Sequence, residues 1–558
     1  MSENPRVITD ELLEAFLRCK YKARLRALGQ AGKPTDFEEH RRSQAQAHRE
    51  QVQAKMFPLP VAAAAPRPEP PAALLDAATL ERGQMRLHNV RIQSANLTTS
   101  IDAIERVDAP SALGCFSYRV IQYIREAKPP VSARLLLAYR SILLGEIQGT
   151  LPSSGVMICG PNLESRQVRL GALEGKVRKL LKELAAQLEG TKEAPLVLNS
   201  HCAICEFRSG CREEALKIDH LSLLGAISRN EIASYNQKGI FTVSQLSYTF
   251  RYRKPAKRAK HPTKPHQHAL QALALRMQKV HLHGDIALPT AAVSVYFDIE
   301  GLPEQEFYYL IGALVVQDGK ETHHAFWADN PAEQQSIFLQ FSRLVAGLGP
   351  CKLFHFGRYD SDAIKAMQSG LDDDAGRPVG ALLSEATNVL TVIHSHVYFP
   401  VYTNSLKEIA GYLGFRWTEN EASGIQSIIL RDTWDASHDP ALKERLVRYN
   451  GGRLPGAEDG LRFHLAGGVR TRQTGSSWCG RAIGGEHGRC RQAAEQIRSL
   501  RPRDVRFERP RAGQQLRLLR LPARARLRPH RQEGSEARQA GQEEAACPQA
   551  QSGDRTVL

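Results

Sequence analysis

The sequence predicts an α/β protein with several domains, on three observations. From residue 291 apolar strand patterns (AAVSVYFDIEG, FYYLIGALVV, CKLFHFG) alternate with amphipathic helical ones such as EQQSIFLQFSRLVAGL. That alternation argues for a mixed sheet flanked by helices. A second strand-then-helix run spans 84–188. The chain has 558 residues, whereas single cores stop growing at roughly 250–300.

Composition sets the class. Hydrophobic residues make up 42% and charged residues 24%, which is ordinary for a soluble globular protein. No apolar run reaches the roughly 18–20 residues of a membrane span, so no membrane association is expected. The start, MSENPRVITDELLEAF, lacks a basic stretch followed by an apolar one, so a secretory signal is not expected. Ten cysteines are too few for a disulfide framework in so long a chain, and C-x2-C spacing then points to metal. A cytoplasmic location follows as an expectation. The net charge of +16 suggests nucleic acid, but residues 451–558 hold 21 Arg against 11 Asp and Glu and so supply +10 of it.

Residues 8–30 read as a helix with Thr9 or Asp10 as N-cap, and the Pro/Ala-rich stretch 57–74 as a loop. Alternation over 84–124 predicts strands, followed by helices at 133–149 and 173–188. Residues 219–250 read as two short helices around a Gly turn. This pattern fits either a phosphate-holding helix-hairpin-helix or an ordinary helical hairpin. Arg251, Arg253, Lys254, Lys257, Arg258, Lys260 and Lys264 follow, with prolines between them. Such a run is a solvated linker or, lying between two α/β modules, a contact to a phosphate backbone.

Asp298 and Glu300 end an apolar strand two residues apart, so period two converges both carboxylates on one face. Paired divalent cations about 4 Å apart need such oxygens to activate water and stabilise a leaving alkoxide. A lone D-x-E is more often a solvated strand end. Here a second strand, 352–356, runs into Tyr359 and Asp360.

FDIEG and HFGRYD resemble the first two motifs of the DEDD family of RNase H-like exonucleases. The resemblance assigns metal binding, by Mg²⁺ or Mn²⁺, to Asp298, Glu300 and Asp360. Closer still, YFDIEGLPEQEFYYLIGALVV, FHFGRYD and NSLKEIAGYLGF resemble the YprB-like RNase H domains fused to RecB-like nucleases, a resemblance covering about 8–450. It implies hydrolysis of phosphodiester bonds from a 3′ end, of DNA before RNA. Tyr449 would position the attacking water.

Family members close the site with Y-N-x-E-D-C. This chain reads KERLVRYNGGRLPGAEDG: Tyr449 and Asn450 match, and then the pattern stops. The last 108 residues contain 21 Arg and no Lys. Codons for 451–460 can be written so that removing one G yields Gly-Glu-Asp-Cys-Gln-Ala-Leu-Lys-Met-Val, which restores the pattern. The reading is a frameshift near Gly451; the other account is a natural basic tail. Without the fourth carboxylate, impaired activity is expected, and the tail has too few apolar residues to offset chain entropy, so it should be disordered.

Cys202, Cys205 and Cys211 form C-x2-C-x5-C, with Cys19 far upstream. On spacing alone zinc is the default. One early cysteine plus a late C-x2-C-x5-C resembles the iron–sulfur RecB-type nucleases, which implies a 4Fe–4S cluster and leaves zinc as the alternative. That family also uses a PD-(D/E)xK site. Asp102 in SIDAIER fits its first position, but Gln122 and Ile124 stand where the acid and the lysine belong. Tyr139 is present, with Leu135 in place of the family's Gln. Unless Glu105, Glu126 or Lys128 compensates, the nuclease site is degenerate.

The expected organisation is a RecB-like module at 1–215, a helix-hairpin-helix-like connector and basic linker at 216–285, an RNase H-like domain at 286–450 and an aberrant Arg-rich tail at 451–558. The expected partner is nucleic acid. A rival reading makes the protein a non-catalytic binding or adaptor protein for a helicase in DNA repair.

Overall fold

The computed structural model describes residues 7–56, 73–251, 266–283, 289, 291–369, 386–415 and 423–468, with 456–468 described in backbone. Helix α1 (Asp10–Arg18) begins where Thr9 Oγ1 accepts from Leu12 N at 3.2 Å, satisfying one of the orphan donors of a helix start. Helical spacing predicts one continuous helix to residue 30. Instead the chain turns extended at Cys19 (φ −158°, ψ 115°) and restarts as α2 (Lys20–Ala27). Cys19 Sγ caps the new helix, accepting from Lys22 N at 3.5 Å. Helix α3 (Asp36–Met56) buries only His48 and Val52.

A six-stranded sheet follows in chain order: β1 (Ala73–Leu74), β2 (Arg86–Ser94), β3 (Leu97–Val107), β4 (Ser117–Ile124), β5 (Ser154–Cys159) and β6 (Glu164–Arg169). Helix α4 (Ala77–Glu81) joins β1 to β2, and α5 (Val131–Gln148) crosses from β4 to its parallel neighbour β5. Most of α5 is buried, and it shares one apolar core with α1, the sheet and α6 (Gly171–Leu188).

The connector is helical: α7 (Arg208–Lys217), α8 (Arg229–Gln237), α9 (Val243–Ser247) and α10 (His268–Met277). Reciprocal capping boxes, Ser228 with Glu231 and Thr242 with Gln245, start α8 and α9. Gly239, at φ +78°, makes the turn between them. Of the basic run, Arg251 is described and exposed; Arg253, Lys254, Lys257, Arg258, Lys260 and Lys264 lie outside the described residues.

The second sheet has the order β10-β9-β8-β11-β12. A short β7 (His281–Leu282) precedes β8 (Val293–Leu302), β9 (Phe307–Gln317) and β10 (Lys320–Trp327), a continuous antiparallel meander. Helix α11 (Gln334–Gly347) leads to β11 (Cys351–His355), parallel to β8, and α12 (Arg358–Gln368) precedes β12 (Thr387–Asn388), parallel to β11. Val295, Phe297 and Ile299 join one core, while Tyr296 joins another with Leu314 and Phe354, the period-two split of a strand buried on both faces. The chain closes with α13 (Val389–His396), β13 (Val397–Tyr398), α14 (Leu406–Tyr412), α15 (Gly424–Ser437) and α16 (Pro440–Gly468).

Helix α16 corrects an expectation. Regular structure does not stop at residue 450 but runs through Gly451, Gly452 and Pro455 to Gly468. Glycine and an interior proline weaken a helix, proline by about 3 kcal/mol. Burial holds this stretch in place: Leu454 is 2% exposed and packs with Leu314, Phe354 and Phe399. Residues 469–558 lie outside the described residues.

The two sheets' surroundings meet through charge. His40 Nε2 and Gln44 Nε2 on α3 lie 2.8 and 2.6 Å from Asp432 Oδ2 on α15. Arg41 pairs with Glu126 and Glu304, Arg125 with Glu304, and Lys128 with Glu306. No helix among the described residues is long and apolar enough to cross a membrane.

Candidate active site

Period two carries Asp298 and Glu300 to the C-terminal end of the central strand β8, and Asp360 stands in the first turn of α12, directly after β11. The three are 5%, 4% and 2% exposed, so their charges depend on what faces them. Asp360 Oδ1 accepts from Ile299 N at 3.1 Å, between the other two on β8. Glu300 Oε2 accepts from the buried Ser427 Oγ on α15 at 2.7 Å. Asn450 Nδ2 donates to Asp298 Oδ2 at 2.8 Å and to Asp298 O at 3.2 Å.

Burial raises the Asp298 carboxyl well above the usual range; Arg453 opposes the rise, while Asp360 and Glu300 add to it. Burial likewise pushes Asp360 up to about 7, again with Arg453 opposing. Tyr449 is buried, its phenol also raised by burial, and its ring centre lies 5.7 Å from the Arg453 guanidinium. The sequence-predicted Asp298, Glu300, Asp360 and Tyr449 therefore come together. Sequence reasoning missed Ser427, for which no motif exists, and Arg453.

Arg453 Nη1 lies 2.6 Å from Glu300 Oε1 and 3.0 Å from Asp298 Oδ2. Burial disfavours the guanidinium charge, but Asp298 and Glu300 outweigh it and hold the arginine more firmly charged than usual. Counted along the one-base-shifted reading, the restored aspartate falls at position 453. In this chain a cation stands there instead. Three buried carboxylates fit a divalent ion by their chemistry, but with Arg453 between two of them the set does not fit one as it stands. Among the described residues no three His, Cys, Asp or Glu side chains are grouped as around a bare metal ion.

The cysteines converge. Cys19, at the α1–α2 break, lines one cavity with Cys202, Cys205 and Cys211, alongside Lys22, His201 and Phe207. All four are free thiols. Burial raises the Cys202 and Cys205 thiols and pushes Cys211 up to about 11, with the neighbouring cysteines adding. Four thiol groups around one cavity are chemically suited to a thiolate-bound cluster.

The residues expected to form a degenerate nuclease site are occupied structurally. Asp102 on β3 accepts from Tyr123 N at 3.0 Å and lies 2.9 Å from Arg49 and 3.9 Å from Arg140. Gln122 on β4 is buried, and its Oε1 accepts no hydrogen bond among the described residues. The Tyr139 hydroxyl turns to backbone, 3.1 Å from Ile8 O and 3.0 Å from Thr98 O. The three possible substitutes are also engaged: Glu105 with Arg86 and Arg119, Glu126 with Arg41, and Lys128 with Glu306.

Residues 295–452 match the RNase_H_2 family of the RNase H superfamily, a domain of nuclease type that spans β8 through the first turns of α16. No curated protein matches the chain. Among solved structures, one described as "Crystal structure of SSO0001" aligns at 16% identity over 37% of this chain and 85% of its own, with a TM-score of 0.18. That superposition is too poor to bear on the fold.

Proposed function

We propose that this protein is a metal-dependent 3′–5′ exonuclease of DNA by design, impaired in this chain at its last metal-binding position. The observation that carries the reading is the meeting of Asp298, Glu300 and Asp360, drawn from two elements some 60 residues apart, inside the stretch that matches the RNase H superfamily. Phosphodiester hydrolysis needs negative oxygens that hold Mg²⁺ or Mn²⁺, the ions that activate water and stabilise the leaving oxygen. Asp298, Glu300 and Asp360 would hold them, and Tyr449 would position the attacking water. The basic run from Arg251 to Lys264 supplies backbone contacts that carry affinity without sequence preference.

In the same reading the first module is a RecB-like scaffold, and Cys19, Cys202, Cys205 and Cys211 hold a 4Fe–4S cluster. The pairing of Asp102 with Arg49 and Arg140 supports scaffolding over chemistry there. That pairing, together with Arg453 in the carboxylate site, also favours a second reading, a non-catalytic nucleic-acid adaptor serving a helicase.

The test is the one-base-corrected chain on end-labelled single-stranded DNA with Mg²⁺ or Mn²⁺. Stepwise loss from the 3′ end, abolished by Asp298→Ala with DNA binding retained, is the expected outcome. A corrected chain that binds DNA and metal yet cleaves nothing would favour the adaptor.

A further inference from the structure

We propose that Arg453 is an internal counter-cation that takes the place of a divalent ion among Asp298, Glu300 and Asp360, leaving this chain unable to bind Mg²⁺ or Mn²⁺ there. The inference rests on the reading that these carboxylates are a cation site.

One guanidinium nitrogen bridges Glu300 Oε1 and Asp298 Oδ2 at 2.6 and 3.0 Å. A divalent ion binds carboxylate oxygens at about 2.0–2.6 Å, so it would need those same oxygens. Further contacts engage the set: Glu300 Oε2 accepts from Ser427 and Asp360 Oδ1 from Ile299 N, while Asp298 Oδ2, already facing Arg453, also accepts from Asn450.

The guanidinium is also tethered. Leu454, the next residue, is 2% exposed in the core, and the helix fixes the backbone from which Arg453 reaches. A tethered cation competes at an effective concentration far above that of a free ion. Relative to the shifted reading, position 453 changes from one negative charge to one positive, so a ligand is lost and a competitor is gained at the same backbone position. An entering divalent ion would have to expel Arg453 while remaining next to its charge, which is repulsive in a buried setting.

The experiment titrates the full-length chain with Mn²⁺ alone, reading the free ion by electron paramagnetic resonance and the melting temperature in parallel. The parent should show no Asp298-dependent Mn²⁺ site and no shift in melting. Arg453→Asp should gain a site at least about tenfold tighter than anything in the parent, lost again in Asp298→Asn/Arg453→Asp. Arg453→Gln should melt lower than the parent and be raised by Mn²⁺.

Parent binding that Asp298→Asn abolishes would overturn the proposal. So would folded Arg453→Asp and Arg453→Gln chains that both ignore Mn²⁺. If neither variant folds alone, recovery on refolding in Mn²⁺ supports it and failure to recover counts against it. An Arg453→Asp chain that binds Mn²⁺ but leaves DNA intact upholds the counter-cation and sinks the nuclease reading. A parent chain showing Asp298-dependent cleavage does the reverse.

Discussion

Asn450 occupies the space that Gly312 leaves empty: Gly312 pairs with Asp298 across β8 and β9, and a Cβ there would overlap the Asn450 amide oxygen. The glycine thus permits the hydrogen bonds from Asn450 to Asp298, joining α16 to the carboxylate strand.

Gly312→Ala should therefore expel the Asn450 amide and cost about 1–3 kcal/mol, the usual range for overpacking. Urea denaturation measures it. In an Asn450→Ala background most of the penalty should vanish, since the clashing oxygen is gone. An undiminished penalty would place the clash elsewhere.

The carboxylates make stability depend on pH. Asp360 is raised from its ordinary 3.8 to about 7, so the fold favours its protonated form. Its contribution is full below about pH 4 and is lost as pH rises through 7. Arg453 limits that loss. Arg453→Gln should then destabilise the chain more at pH 8 than at pH 5, measured as the difference in unfolding free energy from the parent. An equal penalty at both values would remove charge compensation as the role of Arg453.

Protein purified without oxygen should carry iron and acid-labile sulfide. Cys202→Ala should lose both and lower the melting temperature of the first module, because the cavity ties Cys19 to a segment far along the chain. Stoichiometric zinc without iron would replace the cluster by a zinc site.

Asp102→Ala should leave Arg140, 8% exposed, facing the Asp10 carboxylate at 3.5 Å. Breaking a buried pair typically costs about 3–5 kcal/mol, and the partly exposed Arg49 adds little, so a loss near the lower end is expected on calorimetry. DNA cleavage by the one-base-corrected chain should be unchanged by it. Abolished cleavage would move the chemistry to the first module.

Much of the site was legible because its signals are local. The two-residue spacing of Asp298 and Glu300 sets their common face, and a strand running into Tyr359-Asp360 places a carboxylate at a helix start. Thr9 as a cap and the Gly239 turn are equally local. The break at Cys19 was not legible: residues 8–30 keep helical spacing throughout, and the cysteines with which Cys19 lines a cavity stand some 180 residues away. Helix α3 was passed over for a related reason. Its partners lie far along the chain, Asp432 on α15 and Glu304 between β8 and β9.

The sequence by itself determined which residue types could do the chemistry, and it marked position 450 as the point where a familiar pattern ends. Reading on from there, it predicts disorder, because the Arg/Gly/Gln-rich composition offers few apolar residues at regular spacing. Only the tertiary structure decided that the helix continues. A buried niche next to Leu314 accepts Leu454, and a cluster of buried negative charge accepts the cation that happens to follow Gly452. Propensity acts along the chain, whereas burial and Coulomb attraction depend on what the fold has already placed nearby. At Arg453 those long-range terms outweigh the local ones.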